Sequence, residues 1–361
     1  MTDSTIAFIG LGLIGGSIAR GIKRENPDTK IMAYMRTRSR LLSAMDEGVI
    51  DVILDGADEQ LSQCDLIFLC TPVEYNARYL AEIKPFLKPG AIITDVGSTK
   101  TDIHEEVIRL DMEDCFVGGH PMAGSEKTGF ENSTDHLLEN AYYIITPTRK
   151  SSPAAVERLI SIASLIGSIP IVLDYHEHDS ITAAISHLPH VIASSLVNLV
   201  RDADNQEGLM KRLAAGGFKD ITRIASSSPE MWEQICMTNR APLAAVLEQY
   251  IASLNETLVK LRSGDNQYLS RLFETSRDYR TPFPRGTRVL SHRNIRLQWT
   301  WRTRSARSPH CPLFWPPRAS ALKISVSTIT ENTGKVRSRL FSMIRKPWIW
   351  RGNSWSATIT T

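Results

Sequence analysis

The run Gly118-Gly119-His120-Pro121-Met122-Ala123-Gly124-Ser125-Glu126-Lys127 places an imidazole on a short glycine-rich loop, pinned by the adjacent proline. Imidazole is the one side chain whose unperturbed pKa lies near neutrality, so a held histidine here can accept a proton at working pH. Two further clusters lie downstream. Ser186-His187-Leu188-Pro189-His190 sets two imidazoles three residues apart on one helical face. Either is a substrate contact or a hydrogen-bonded core residue. Asp174, His176 and His178 are near in sequence, but no HExxH or Cys/His spacing accompanies them, so no metal is expected. Gly216-Gly217-Phe218-Lys219-Asp220-Ile221-Thr222-Arg223 is a glycine turn entering a helix, with a guanidinium one turn in. Arginine suits bidentate recognition of a carboxylate, and a surface pair with Asp220 is the plain alternative.

Near the N-terminus, Gly10, Gly12 and Gly15 form GxGxxG between an apolar strand and a helix, which is the context that gives this motif meaning. The first glycine permits the turn, the second lets backbone approach a pyrophosphate, and the third allows close helix–strand packing. Leu13 and Ile14 open the helix whose free N–H groups would face the phosphates. Thr71 and Pro72, directly after the apolar run Leu66–Cys70, are placed with them as cofactor-binding residues. NAD-selective sites carry an acid at the end of the second strand. Here that place reads Tyr34-Met35-Arg36-Thr37-Arg38. NAD is expected, and Arg36 and Arg38 leave the 2′-phosphate of NADP open; a solvated basic loop is the other reading.

These residues need elements to hold them. Strands at Thr5–Ile9, Lys30–Tyr34, Leu66–Cys70, Ala91–Asp95, Phe116–Gly119, Ala141–Thr146 and Ile169–Leu173 alternate with helices ending near Arg24, at Arg40–Gly48, Ala77–Phe86 and Pro153–Gly167. Such alternation predicts an α/β Rossmann-type doubly wound sheet over residues 1–172. Beyond Asp174 the apolar period becomes helical, at Ile181, Ile185, Leu188, Ile192, Leu196 and Leu199, with a kink at Pro189. Residues 173–280 are therefore expected to be an all-α domain. Ser98 falls on the loop after a sheet strand, at the edge where open α/β sheets bind ligands.

Composition adds limits. Five scattered cysteines without a CxxC pair imply reduced thiols and a cytoplasmic setting. The N-terminus has no basic n-region, and no uncharged apolar run is read as a membrane span. From Thr281 to Thr361 there are 12 Arg and 3 Lys against one acid, Glu331, while residues 1–280 carry 27 basic and 38 acidic groups. Six of seven tryptophans also fall in that tail. Arginine with tryptophan can mark a nucleic-acid surface. The tail has neither helical nor strand period, however, and is read as out of register with a working frame: irregular or disordered, not a folded domain, and no nucleic-acid partner.

Taken together, Gly10–Ser17, Asp95-Val96-Gly97-Ser98-Thr99-Lys100, Gly118–Gly129, Ser186–His190, and Gly216–Arg223 followed by Met231-Trp232 make residues 5–280 resemble the prephenate/arogenate dehydrogenase family of tyrosine biosynthesis. The resemblance implies a Rossmann domain, a helical dimerisation domain, a homodimer, and a site in the cleft between domains. It implies His120 as the catalytic proton acceptor and Ser98 as its companion on the substrate hydroxyl or the nicotinamide. Arg223 would bind a substrate carboxylate and His190 would place the substrate. Ser125 and Glu126 are secondary substrate-side residues that gate the pocket. The expected reaction is oxidative decarboxylation of prephenate to 4-hydroxyphenylpyruvate; arogenate as substrate, or a non-catalytic dinucleotide-binding remnant, are the alternatives. Only Ile324–Asn332 is faintly similar to the ACT regulatory domain that some bacterial members carry.

Overall fold

The structure, a computed structural model, describes residues 4–124, 127–281, 349–351 and 354–356. It opens with β1 (Thr5–Ile9), α1 (Leu13–Glu25), β2 (Lys30–Tyr34), α2 (Arg38–Asp46), β3 (Val52–Ile53), β4 (Leu66–Leu69), α3 (Val73–Ile83) and β5 (Ile92–Asp95). These strands make one parallel sheet in the order β3-β2-β1-β4-β5. Helix α4 (Thr101–Arg109) then leads to β6 (Val117–Pro121), β7 (Tyr142–Pro147), α5 (Pro153–Leu165) and β8 (Ile169–Val172). In this second sheet β7 runs antiparallel to β6 and parallel to β8. A parallel bridge from Ile93 to Phe116 joins it to β5.

The strands read as unbroken apolar runs because helices cover both faces. Ile6, Phe8, Ile31, Leu66 and Phe68 pack with Ile18 and Ile22 of α1 and Leu159 and Ile162 of α5. Alternate residues Ala7, Ile9, Met32, Ile67 and Leu69 point the other way, onto Leu80, Ile83, Ile103 and Val107. Phe8 and Phe68, paired in register, stack at 4.9 Å across the sheet centre.

The strand read at Phe116–Gly119 runs on through His120 and Pro121, which corrects the reading of His120 as a loop residue and puts Gly118 and Gly119 inside the strand. Their spacing reflects crowding and not a turn. A Cβ at Gly118 would lie 2.2 Å from Thr146 Oγ1, and one at Gly119 2.7 Å from the Asp95 carbonyl. His120 faces Ile144 in the β6–β7 register and is held by the sheet itself. The short β3 and the helix α4 had no counterpart among the elements read from sequence.

The helical part contains α6 (Tyr175–Thr182), α7 (Leu188–Ala203), α8 (Leu209–Leu213), α9 (Gly216–Thr222), α10 (Pro229–Thr238), α11 (Arg240–Arg262) and α12 (Asn266–Arg280). Asp174 caps α6 by accepting the amides of His176 and Glu177, so its carboxylate is spent on the helix start. The kink expected at Pro189 takes the form of a π-helical stretch, Ala183–His187, after which α7 restarts with Pro189 in its first turn. The wider turn accommodates a residue that has no N–H and whose ring clashes with the carbonyl four positions back.

By length and a mean hydropathy of 1.4, Tyr175–Ala203 meets the composition of a membrane span, against the sequence reading that none exists. Its polar side explains why composition misleads here: His178 and Asp179 are wholly buried against the sheet domain. Ile185 and Leu199 of this stretch are exposed, as are Ile221, Ile251, Leu254 and Phe273 of the other helices. Within the tail, β9 (Ile349–Arg351) and β10 (Ser354–Ser356) pair antiparallel. The expectation for the rest of the tail lies outside the described residues.

Candidate active site

The dinucleotide loop behaves as its three glycines require. Gly10 sits at φ +93°, and a Cβ there would meet the Cys70 carbonyl at 2.6 Å. A Cβ on Gly15 would strike the Gly10 carbonyl at 2.7 Å, so helix and loop are packed to backbone contact. A Cβ on Gly12, by contrast, would meet nothing within 4 Å. Gly12 is also the N-cap of α1 and offers no side-chain cap, leaving the amides of the first turn, Leu13 and Ile14 included, directed at that open space. This cradle fits a pyrophosphate. Thr71 reaches the same edge, its methyl 3.2 Å from the Gly10 Cβ position and its hydroxyl donating to Asn76 Oδ1 at 2.9 Å. Pro72 is the N-cap of α3. Arg36 stands beyond β2 with its guanidinium 5.5 Å above the Tyr75 ring. Arg38 is paired with Asp55 at 2.6 Å in solvent.

Asp95, at the end of β5, organises the reacting edge. Its Oδ2 accepts the Gly97 amide at 2.8 Å and the ammonium of Lys100, while Oδ1 accepts the Gly119 amide at 3.1 Å. One carboxylate thus fixes both the loop that carries half-buried Ser98 and the strand that carries His120. Lys100 is fully buried; burial draws its pKa down against the pull of Asp95.

His120 Nδ1 lies 2.8 Å from His178 Nε2, and His178 Nδ1 lies 2.8 Å from Asp179 Oδ1. Asp179 also accepts the amides of Lys100 and Thr101, at 2.8 and 2.7 Å, from the start of α4. Burial opposes its charge, but the bonds from His178, Thr101 and Lys100 outweigh that and hold the carboxyl below its usual range. Burial drives His120 well below the ordinary histidine value, with His178, Lys100 and His187 pressing the same way. It is therefore a neutral imidazole near pH 7.

The second histidine pair is split by the π turn. His187 is buried and faces the Asn239 amide at 3.0 Å; burial lowers its pKa to about 4. His190 is half-buried, donates from Nδ1 to the Ser186 carbonyl at 3.0 Å, and stacks on Trp232 at 3.4 Å. Its pKa is lowered by burial and by the nearby Arg223. Arg223, exposed, follows α9. The structure thus gathers His120, His178 and Asp179 in one hydrogen-bonded row, and His190 with Trp232 and nearby Arg223 in another neighbourhood. Ser125 and Glu126 lie outside the described residues. Among the described residues no group of three His, Cys, Asp or Glu is arranged to hold a metal.

The sequence reading missed His178 as a partner of His120, and Asp179 altogether. The adjacent His-Asp pair just inside a capped helix was the available signal, but its contacts span 58 and 79 residues.

A parallel sheet with a glycine cradle at the turn into α1, followed by a helical part that carries His178, His190 and Arg223, is the architecture of a two-part nicotinamide dinucleotide-dependent dehydrogenase. Family models agree: residues 18–171 match the prephenate dehydrogenase nucleotide-binding domain, and residues 174–275 match the prephenate dehydrogenase dimerization domain. The chain belongs to the prephenate dehydrogenase family. It is 38% identical over 284 residues to prephenate dehydrogenase of Bacillus subtilis, covering 78% of this chain and 76% of that one. Against cyclohexadienyl dehydrogenase of Zymomonas mobilis it is 32% identical, over 76% of this chain and 94% of the other. The crystal structure of prephenate dehydrogenase from A. aeolicus, in complex with hydroxyphenyl propionate and NAD+, superposes with a TM-score of 0.72 at 29% identity, covering 77% of this chain and 98% of that one.

Proposed function

We propose that the chain catalyses oxidative decarboxylation of prephenate to 4-hydroxyphenylpyruvate, with NAD+ as hydride acceptor. The observation that carries this reading is the imidazole of His120, which Asp95 holds beside the Ser98 loop at the end of β5 and which is hydrogen-bonded to buried His178, with burial keeping it neutral. When bound in the Gly10–Gly15 cradle, with Leu13, Ile14, Thr71, Pro72 and Arg36 around it, the dinucleotide supplies the hydride acceptor.

The chain's own residues do the rest. Prephenate carries a hydroxyl on the ring carbon that loses hydride and a carboxylate para to it. His120 accepts the hydroxyl proton as positive charge develops on that carbon, and returns it to oxygen once loss of CO2 makes the ring aromatic. Ser98 holds the hydroxyl, Arg223 binds a substrate carboxylate, and His190, fixed by Ser186 and Trp232, places the substrate. Ser125 and Glu126 remain secondary substrate-side candidates by family likeness alone. NAD+ is favoured over NADP+ because Arg38 is committed to Asp55 and Arg36 to the Tyr75 face.

Residues 1–172 then serve as the dinucleotide domain and 173–280 as the substrate and dimerisation domain, with 281–361 outside the catalytic fold and the protein in the cytoplasm. The exposed apolar residues of α7, α9, α11 and α12 fit a homodimer through the helical domain. Turnover of prephenate and arogenate, each with NAD+ and NADP+, tests the assignment. Prephenate with NAD+ is expected to give the highest kcat/KM; arogenate above prephenate would move the substrate, and no turnover in any pairing would leave a dinucleotide-binding remnant.

A further inference from the structure

Three side chains in a row lead from the reacting edge into the interior. His120 meets His178 at 2.8 Å, and His178 meets Asp179 at 2.8 Å. His178 and Asp179 have no solvent exposure. Asp179 also takes the two amides that open α4, a place where unpaired N–H groups and the helix dipole favour an anion. An ionised carboxylate can only accept, so the proton between it and His178 sits on Nδ1 of the imidazole. In the neutral form assigned to the resting enzyme, the imidazole of His178 has a single N–H, which leaves Nε2 as a lone pair. Nδ1 of His120 must then be the donor. Its Nε2 is left bare, as a proton acceptor requires.

Building on the reading of His120 as the base, we infer that His178 and Asp179 are positioning residues that fix the tautomer of His120 and share the proton it takes up. The substrate O–H bond breaks and its proton bonds to His120 Nε2. The Nδ1 proton of His120 then moves to His178 Nε2, and the positive charge comes to rest on His178 against Asp179. The reverse transfer returns the proton to oxygen at the end of the cycle. No electrons are exchanged along the row. A buried aspartate holds a catalytic imidazole by the same logic in hydrolytic triads.

The other titratable groups around the row do not offer this compensation. Lys100 is paired with Asp95, and His187 and His104 are neutral, buried imidazoles. Asp102 faces Asp179 with like charge. Asn239 donates to the backbone carbonyl of Asp179, not to its carboxylate.

Imidazole 15N spectra of the full-length protein read the tautomers directly. Protons on Nδ1 of both His120 and His178 are expected; a proton on Nε2 of resting His120 overturns the inference whatever the kinetics. Asp179→Asn removes the negative charge that holds a proton on His178, so kcat is expected to fall by about 100-fold or more. Dinucleotide affinity and KM should stay within about threefold. His178→Gln keeps an acceptor toward His120 but cannot hold a proton, and its kcat should fall between wild type and His178→Leu. Wild-type kcat in both Asp179→Asn and His178→Leu, beside an inactive His120→Asn, removes the relay and leaves His120 as base. Wild-type kcat in His120→Asn removes the base reading and the relay with it.

Discussion

Asp95 and Lys100, five residues apart, form an ion pair with no solvent exposure on either side chain. The pair closes the loop that presents Ser98, and the same carboxylate pins the amide of Gly119 next to His120.

Breaking such a pair from one side leaves a buried charge without compensation, which costs about 3–5 kcal/mol. Asp95→Ala and Lys100→Met are each expected to lower the unfolding free energy by that order in urea titration. The double variant Asp95→Leu/Lys100→Met should be less damaged than the sum of the two. Single variants as stable as wild type would show that the pair holds nothing.

His120→Asn retains a polar side chain but no proton acceptor of suitable basicity. A positioned general base contributes about 100- to 10,000-fold, and kcat should fall within that range. Titration of the dinucleotide should give an unchanged Kd, because the cradle at Gly12 is built from separate elements.

Arg223→Ala should act on binding. Loss of a charged hydrogen-bond partner is worth about 1.5–3 kcal/mol, which predicts a rise in KM of about tenfold to a hundredfold. An unchanged KM would reassign the guanidinium to a structural role.

Stability should fall on acidification before the carboxylates titrate. Burial, with Lys100 adding to it, lowers the pKa of His104 to about 3, and burial lowers that of His187 to about 4. Above pH about 6.5 both are neutral in folded and unfolded chains, so they contribute no slope. Below it the unfolded chain binds protons that the folded chain refuses, and each histidine removes about 1.4 kcal/mol per pH unit. For His187 the loss is complete near pH 4, and for His104 near pH 3. His104→Phe keeps an aromatic ring against Tyr175 and should flatten the dependence between pH 6.5 and 5 by about one histidine. An identical slope in that variant would contradict the assignment.

A chain ending at Arg280 should keep its turnover and yield more soluble protein, since the match to the dimerization-domain model ends at residue 275 and 281–361 carries six of the seven tryptophans. Loss of dehydrogenase activity on that truncation would give the tail a function.

Much of this protein was determined by local pattern. GxGxxG between a strand and a helix needs only neighbours in sequence, because loop and helix are built from contiguous residues. Apolar strands alternating with amphipathic helices announced the doubly wound sheet for the same reason, as two covered faces demand unbroken apolar runs. Isolated chemistry was legible too: His120, Ser98 and Arg223 stood out by residue type and company. Tertiary structure decided what each of these touches. His120 looked like a loop residue because glycines and a proline flank it, whereas the strand runs through it and Gly118 and Gly119 make room for Thr146, His104 and Asp95 from other elements. In the sequence reading His178 is only a neighbour of Asp174 and His176 with no metal expected, and Asp179 is not singled out at all. Only when α6 packs against α4 and β6 do they meet His120 and the Lys100 amide, since hydrogen bonds act over about 3 Å and chain separation says nothing about such distances.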